Sequence, residues 1–378
     1  MVRFVSRRGT DVILCVNCGS SSVKCAVYRV GATGEERLAT ASTDGPGLES
    51  LDSTLAELGF DDELTAAGHR LVHGGPYHYQ PARVDETLLA ELRAAVPFAP
   101  VHLPVALAAI GALSRRHPEL PQVACFDTAF HQTMPESAWH LPLPAELTDL
   151  GIRRYGFHGL SYEYVVGVLG PTVLGRAVLA HLGNGASLAA IRDGRSVHTT
   201  MGFTPTGGVV MGCRSGDLDP GVLVYAAREL GYDAERLERL VDHESGLLAL
   251  SGTSSDMQTL VQRREGGDHR ATLAIDVFCT RIRMQIGAYA ALLGGLDTIV
   301  FTGGIGAHAA SIRAKSCRGL DHLGVTVDER SNAANAPVIS PDPAPVTVRV
   351  VETDEDLMIA RHTHTLLATE AQPPLDPS

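Results

Sequence analysis

"ILCVNCGSSSV" (Ile13–Val23) and "VLAHLGNGASL" (Val178–Leu188) align without a gap at an offset of 165 residues, from position 13 to position 178. Each is an apolar strand, a turn of Gly, Ser and Asn, and a Ser with an aliphatic residue opening a second strand. Two such hairpins in two halves of one chain predict a duplicated fold whose paired domains face a cleft. Chance similarity over eleven positions is the alternative. The first turn gathers Asn17, Ser20, Ser21, Ser22 and Lys24, amide, hydroxyl and cationic groups suited to phosphate oxygens and a metal ion. A plain polar surface hairpin is the competing reading at this point.

The chain has 378 residues, 44% hydrophobic and 20% charged, a soluble globular composition long enough for two domains. Its formal net charge of −12 argues against a nucleic-acid or anionic-membrane surface, so any bound anion must be held by local groups. "MVRFVSRRGT" lacks the apolar run of an export signal, and no stretch reaches 18 apolar residues, so neither secretion nor a membrane span is expected. Seven scattered cysteines suit a reducing cytoplasm. Cys15 and Cys18 form a C-x-x-C pair at a strand end with no second pair for zinc, and are read as small apolar fillers.

Apolar strands and helical stretches alternate, which predicts an α/β architecture. "PQVACFDTAFH" is a strand ending at Asp127, and "DTIVFTGGIG" another ending at Gly303 and Gly304. "LDPGVLVYAARELG" reads as a helix with Asp219 as N-cap, Pro220 at the first position and Gly231 as the stop. A longer helix is expected over residues 271–293, with Phe278, Ile282, Ile286 and Ala290 on one face. "RSNAANAPVISPDPAPV" reads as loop, and "PPLDPS" as a frayed tail.

No P-loop, complete G-x-G-x-x-G, G-x-S-x-G or H-E-x-x-H is present, so phosphate recognition here needs another device. Several stretches are too polar for plain core. "GHRLVHGG" carries Arg70, which by itself reads as a solvated strand-edge arginine. "FDTAFHQTMP" puts Asp127 at a strand's carboxyl end, where α/β proteins place reactive groups. "RRYGFHGLS" holds His158 in a glycine-flanked loop, and "MGFTPTGGVVMGCRSGDLDPG" holds Arg214 in a glycine-rich one. "VETDEDLMIA" offers Glu355 after a strand and at a helix start, where the helix dipole alone favours an acid.

Taken in order, "VNCGSSSVK", "GHRLVHGG", "FDTAFHQTMP", "RRYGFHG", "HLGNGAS", "MGFTPTGG" and "SGDLDPG" resemble the acetate kinase family, within the superfamily of sugar kinases, actin and heat-shock ATPases. The resemblance runs from Asp11 to Leu367. It implies a duplicated actin-like (ribonuclease H-like) ATPase fold, with two domains around a central cleft. One domain would be residues 1–129 with a C-terminal helix 356–378, for acyl and phosphate binding. The other would be residues 130–355, for nucleotide binding and dimerisation. The implied reaction is reversible, magnesium-dependent, direct in-line transfer of the ATP γ-phosphoryl group to acetate, giving acetyl phosphate and ADP. Manganese is an expected substitute for magnesium, and the enzyme an expected cytoplasmic homodimer.

By position, the resemblance assigns Asn17 and Glu355 to the metal, and Arg70, Asp127, His158 and Arg214 to catalysis. Val72, Val101, Phe157 and Pro205, with Arg70, correspond to the acyl pocket. Ser22, Lys24, His181, Gly183, Asn184, Gly185, Asp256, Gly304, Ile305, Gly306 and His308 fall on nucleotide and phosphate segments. Ala307 and His308 replace the family's usual acid and Asn, and Gln258 a common arginine. These departures lead us to expect a looser donor preference among ATP, GTP and pyrophosphate. Val72, two residues beyond Arg70, is expected on the same strand face as an aliphatic wall favouring acetate over propionate. A propionate kinase, or a nucleotide-binding relative without transfer activity, are the rival readings.

Overall fold

The computed structural model describes residues 10–18, 22–32, 34–44 and 48–370. Ser20, Ser21 and the tail beyond Glu370 lie outside them, as does the side chain of Ser22. The chain divides into two compact units, residues 1–130 with 354–378, and residues 131–353.

The first unit is built on a six-stranded sheet: β1 (Thr10–Cys18), β2 (Ser22–Gly31), β3 (Gly34–Asp44), β4 (Ala66–Leu71), β5 (Ala82–Arg83) and β6 (Gln122–Phe126), in the order β3-β2-β1-β4-β6-β5. β1 to β3 form an antiparallel meander, whereas β1, β4 and β6 run parallel. Alternation along the first hairpin sends Leu14, Val16, Val23, Cys25 and Val27 to one face, where they bury Leu51 and Leu55 of the helix Leu48–Leu58. The other face receives the final helix, Glu355–Glu370. It sits so close to β4 that a Cβ on Gly68 would stand 2.4 Å from Ile359 Cγ2, which is why a glycine occupies that strand position.

The second unit repeats this pattern with β7 (Arg176–Leu182), β8 (Ala186–Arg192), β9 (Arg195–Thr199), β10 (Thr298–Thr302) and β11 (Thr347–Val350), in the order β11-β10-β7-β8-β9. β7 to β9 are an antiparallel meander, and β7, β10 and β11 are parallel. β7 and β8 therefore stand in their sheet as β1 and β2 stand in theirs. The repeat read from the two hairpins is a repeat of sheet topology.

Local signals map onto the elements they predict. The helix Pro220–Glu229 starts at Asp219, whose carboxylate accepts from Gly221 N. The long helix spans His269–Leu293 and buries Phe278, Ile282, Ile286 and Ala290. One expectation is corrected. The stretch read as loop from Arg330 onward opens inside a short helix, Glu329–Ala333, because Asp328 just upstream caps it through Ser331 N. All seven cysteines are free and six are buried. Burial pushes the Cys18 thiol up to about 11 and the Cys15 thiol well above its ordinary value, so both are inert fillers.

Each unit also buries a neutral histidine. His69 bonds Gln122 Oε1 at 2.7 Å, and His131 bonds Ser196 Oγ at 2.8 Å and the Phe157 carbonyl at 3.0 Å. Burial pulls both down from 6.5 to about 4. The native state thus holds fewer protons than the unfolded chain below pH 6.5. Stability from each histidine is present above that pH and is lost as pH falls toward 4, on the order of 3 kcal/mol apiece. Urea midpoints should accordingly drop between pH 7 and pH 4.5, and His69→Gln should remove about one proton from that slope. An unchanged slope in the variant would mean that His69 is not held neutral.

Candidate active site

In the first unit four segments deliver polar side chains to the carboxyl ends of the parallel strands, where open α/β sheets place their ligands. Asn17 lies near the end of β1, Arg70 near the end of β4, Asp127 directly after β6, and Glu355 opens the final helix. Arg70 joins them. Its Nη1 donates to Asn17 Oδ1 at 3.0 Å, and its Nε and Nη2 donate to Asp127 Oδ2 at 3.0 and 2.5 Å. Glu355 Oε2 stands 3.7 Å from Nε. Arg70 is therefore no solvated edge charge. Its side chain is 17% exposed and that of Asp127 only 1%. Burial works against the guanidinium charge, but Asp127 and Glu355 outweigh it and hold Arg70 firmly protonated. Lys24, exposed, is paired directly across from Asn17 in the β1–β2 ladder.

The start of the final helix is set by residues without a sequence signal. Asp354 accepts from Leu357 N at 3.0 Å as a cap, and from Tyr28 Oη at 2.9 Å. Arg37 donates to Tyr28 Oη at 2.6 Å and pairs with Asp354. This clamp fixes where Glu355 begins. Burial, with Glu355 and Asp354 nearby, pushes the adjacent Asp356 carboxyl up to about 6.

The second unit carries its own cluster. His158 adopts a left-handed backbone, φ 59°, immediately before the helix Gly159–Leu169. Such a conformation is uncommon for a non-glycine residue and tends to persist at functional positions. Its ring stacks on His181 with centroids 4.2 Å apart. His158 Nδ1 is 2.9 Å from Ser187 Oγ, Ser187 Oγ is 2.5 Å from Tyr162 Oη, and His181 Nδ1 is 2.8 Å from Ser161 Oγ. A methyl group at Gly185 would stand 3.3 Å from His158 Nε2 and 3.6 Å from Arg214 Nη1, so both side chains close on one turn that a glycine leaves open. Arg214 Nη1 donates to the Pro205 carbonyl at 2.8 Å. Gly183 N donates to Gly185 O at 3.0 Å, and Gly212 N to Asn184 O at 2.9 Å, which tightens the β7–β8 turn.

Other sequence candidates lie on further elements. Gly304, Ile305, Gly306 and His308 form the short helix after β10, where His308 is exposed and Ala307 buried. Asp256 caps the helix Met257–Glu265, accepting from Thr259 N and Oγ1 at 2.7 Å each. Those bonds hold its carboxyl below the usual range. Phe157 is buried beside His158 in sequence, and Val101 is half-buried before the helix Leu103–Arg116. The expectation for Val72 is corrected. β4 ends at Leu71, and Val72 lies in the bend beyond it, so strand alternation does not carry it to the Arg70 face. Among the described residues no group of three or more His, Cys, Asp or Glu could hold a metal ion, and no helix is long and apolar enough to cross a membrane.

Comparison with known proteins identifies the family. Residues 41–361 match the Acetokinase family. An acetate kinase of Rhodopseudomonas palustris is 45% identical over 93% of this chain and 98% of its own length. A propionate kinase of Citrobacter rodentium is 48% identical over 79% of this chain and 76% of its own. The crystal structure of Porphyromonas gingivalis acetate kinase aligns with a TM-score of 0.81 at 36% identity, covering 94% of this chain and all of that one. A family match over most of the chain, full-length relatives above 40% identity and a shared fold lead to one conclusion: the chain belongs to the acetokinase family.

Proposed function

We propose that this protein is an acetate kinase, moving the γ-phosphoryl group of ATP reversibly and in line to acetate to give acetyl phosphate and ADP. The observation that carries the reading is the Arg70 cluster, in which one buried guanidinium engages Asn17 and Asp127 beside Glu355. Acetate is already ionised at neutral pH, so the acceptor needs no general base. The barrier is the approach of a carboxylate to a phosphoryl group of the same sign. Arg70 and Arg214 neutralise that charge, each presenting a planar fork that can grip two oxygens. His158 donates a hydrogen bond to the transferring group, and Asp127 orients Arg70. Val72, Val101, Phe157 and Pro205 line the acyl group. Lys24, Ser22, the His181–Gly185 turn, Asp256 and the Gly304–His308 segment serve the nucleotide.

Asn17 and Glu355, with Asp127 nearby, form an all-oxygen set of one amide and two carboxylates. That chemistry fits magnesium, which takes one or two carboxylates and completes its shell with water and phosphate; manganese is an acceptable substitute. Bound there, the ion would neutralise phosphate charge. Turnover should require a divalent ion and stop with EDTA. Glu355→Gln should raise the magnesium concentration for half-maximal rate while the KM for acetate stays within roughly threefold, because a carboxylate near magnesium acts through its charge. Unchanged metal dependence would remove Glu355 from the site.

Leu218, Val222, Tyr225 and Leu230 expose apolar surface on and around the helix Pro220–Glu229, which supports a homodimer through this face. Sedimentation of a monomer at micromolar concentration would exclude it. The seven free cysteines support a cytoplasmic enzyme, to be checked by cell fractionation.

The deciding experiment measures acyl-phosphate formation from acetate, propionate and butyrate with ATP, GTP and pyrophosphate. Acetate should have the highest kcat/KM, with propionate behind it by no more than the 10–200-fold roughly expected of one methylene. With Ala307, His308 and Gln258 in place, ATP should lead GTP by less than about tenfold. Equal or better rates with propionate would make the protein a propionate kinase. No product with any acceptor would make it a nucleotide-binding relative without transfer activity.

A further inference from the structure

The Ser187 hydroxyl lies between two partners and must choose a direction. Tyr162 Oη accepts from the His181 backbone N–H, so its own proton is available to Ser187 Oγ at 2.5 Å. If Ser187 Oγ accepts that hydrogen bond, its own hydrogen is free to point to His158 Nδ1 at 2.9 Å. A neutral imidazole that accepts at Nδ1 carries its proton at Nε2. Nε2 is the atom facing the Gly185 turn beside Arg214 Nη1.

We propose that Tyr162 and Ser187 are positioning residues, a one-way hydrogen-bond relay that holds His158 as the Nε2–H tautomer with its donor aimed at the transferring phosphoryl group. The role assigned to His158 rests on the acetate kinase reading; the direction of the relay rests on the His181 N–H donated to Tyr162 and on the two Ser187 contacts. Three features make the relay rigid. Tyr162 and Ser187 are fully buried, and Ser187 is fixed in β8 directly opposite His181 of β7. The stacked His181 ring, tied to Ser161, blocks rotation of the His158 ring. His158 itself is held in a left-handed backbone conformation, φ 59°. A donor already oriented before substrate arrives needs no reorganisation during transfer, which is the main source of electrostatic catalysis. Second partners of this kind fix histidine tautomers at metal sites by the same logic.

The test uses the full chain with ring-15N-labelled histidine, and assigns His158 by difference against His158→Asn. The wild type should show an unprotonated Nδ1 and a protonated Nε2. Ser187→Ala should shift these signals toward Nδ1–H and lower kcat by roughly tenfold or more, with the KM values for acetate and ATP within about twofold. Tyr162→Phe keeps the ring's volume and should move both readouts in the same direction by less. An Nδ1–H signal in the wild type overturns the relay, as does Ser187→Ala with an unchanged ring spectrum, whatever its kcat. A wild type that makes no acyl phosphate would sink the functional reading instead, while the tautomer of its His158 would still decide the relay.

Discussion

Arg70→Ala should lose on the order of 10²–10³ in kcat, the scale of one transition-state electrostatic contact, and should also lose stability. The second loss follows from burial. Asp127 is fully enclosed, and Arg70 gives its Oδ2 two hydrogen bonds. Removing one member of a buried ion pair leaves the other charge uncompensated, at a cost of about 3–5 kcal/mol. Urea unfolding at pH 8 should show the full cost, since the Asp127 carboxyl is ionised in the unfolded chain there. Arg70→Ala/Asp127→Ala should recover much of the stability and none of the rate. A single variant that unfolds like the wild type would mean that water replaces the guanidinium at no cost.

Arg214→Ala should lose a comparable 10²–10³ in kcat. The two arginines touch different groups. Arg214 donates to the Pro205 carbonyl and approaches Met211 Sδ, where Arg70 neutralises a buried carboxylate. On the proposed reading Arg70 serves both the buried ion pair and the reaction, and Arg214 serves the reaction. Kinetics and unfolding on the two variants separate these roles. A wild-type rate for Arg214→Ala would return that residue to the class of loop arginines with no part in the reaction.

Much of the fold was legible in the chain because its signals are local. A strand announces itself by alternation over a few residues, and a helix start by a cap bonded within three residues of it. Asp219 and Pro220 therefore marked a helix correctly, and the hairpins at Ile13 and Val178 marked the duplicated sheet topology. The same locality explains the errors. Strand alternation placed Val72 beside Arg70 only on the assumption that β4 continued, and the strand ends one residue earlier. The loop expected after Arg330 overlooked a cap at Asp328 that lay just outside the quoted stretch.

By itself, then, the sequence determined the α/β class, the repeat, and the family membership that rests on ordered motifs. It did not determine which of those motifs touch. Arg70 reads as a strand-edge arginine until Asn17 and Asp127, 53 and 57 residues away, are found on its guanidinium. Tyr28 and Arg37 carry no signal at all, yet they clamp Asp354 across 326 and 317 residues and so decide where Glu355 begins. Ser187 passed as the polar end of a hairpin until Tyr162 and His158 were found on either side of it. Hydrogen bonds between residues so far apart leave no periodic or spacing pattern in the chain. They depend on strand order and on how a helix crosses a sheet, which tertiary packing alone decides.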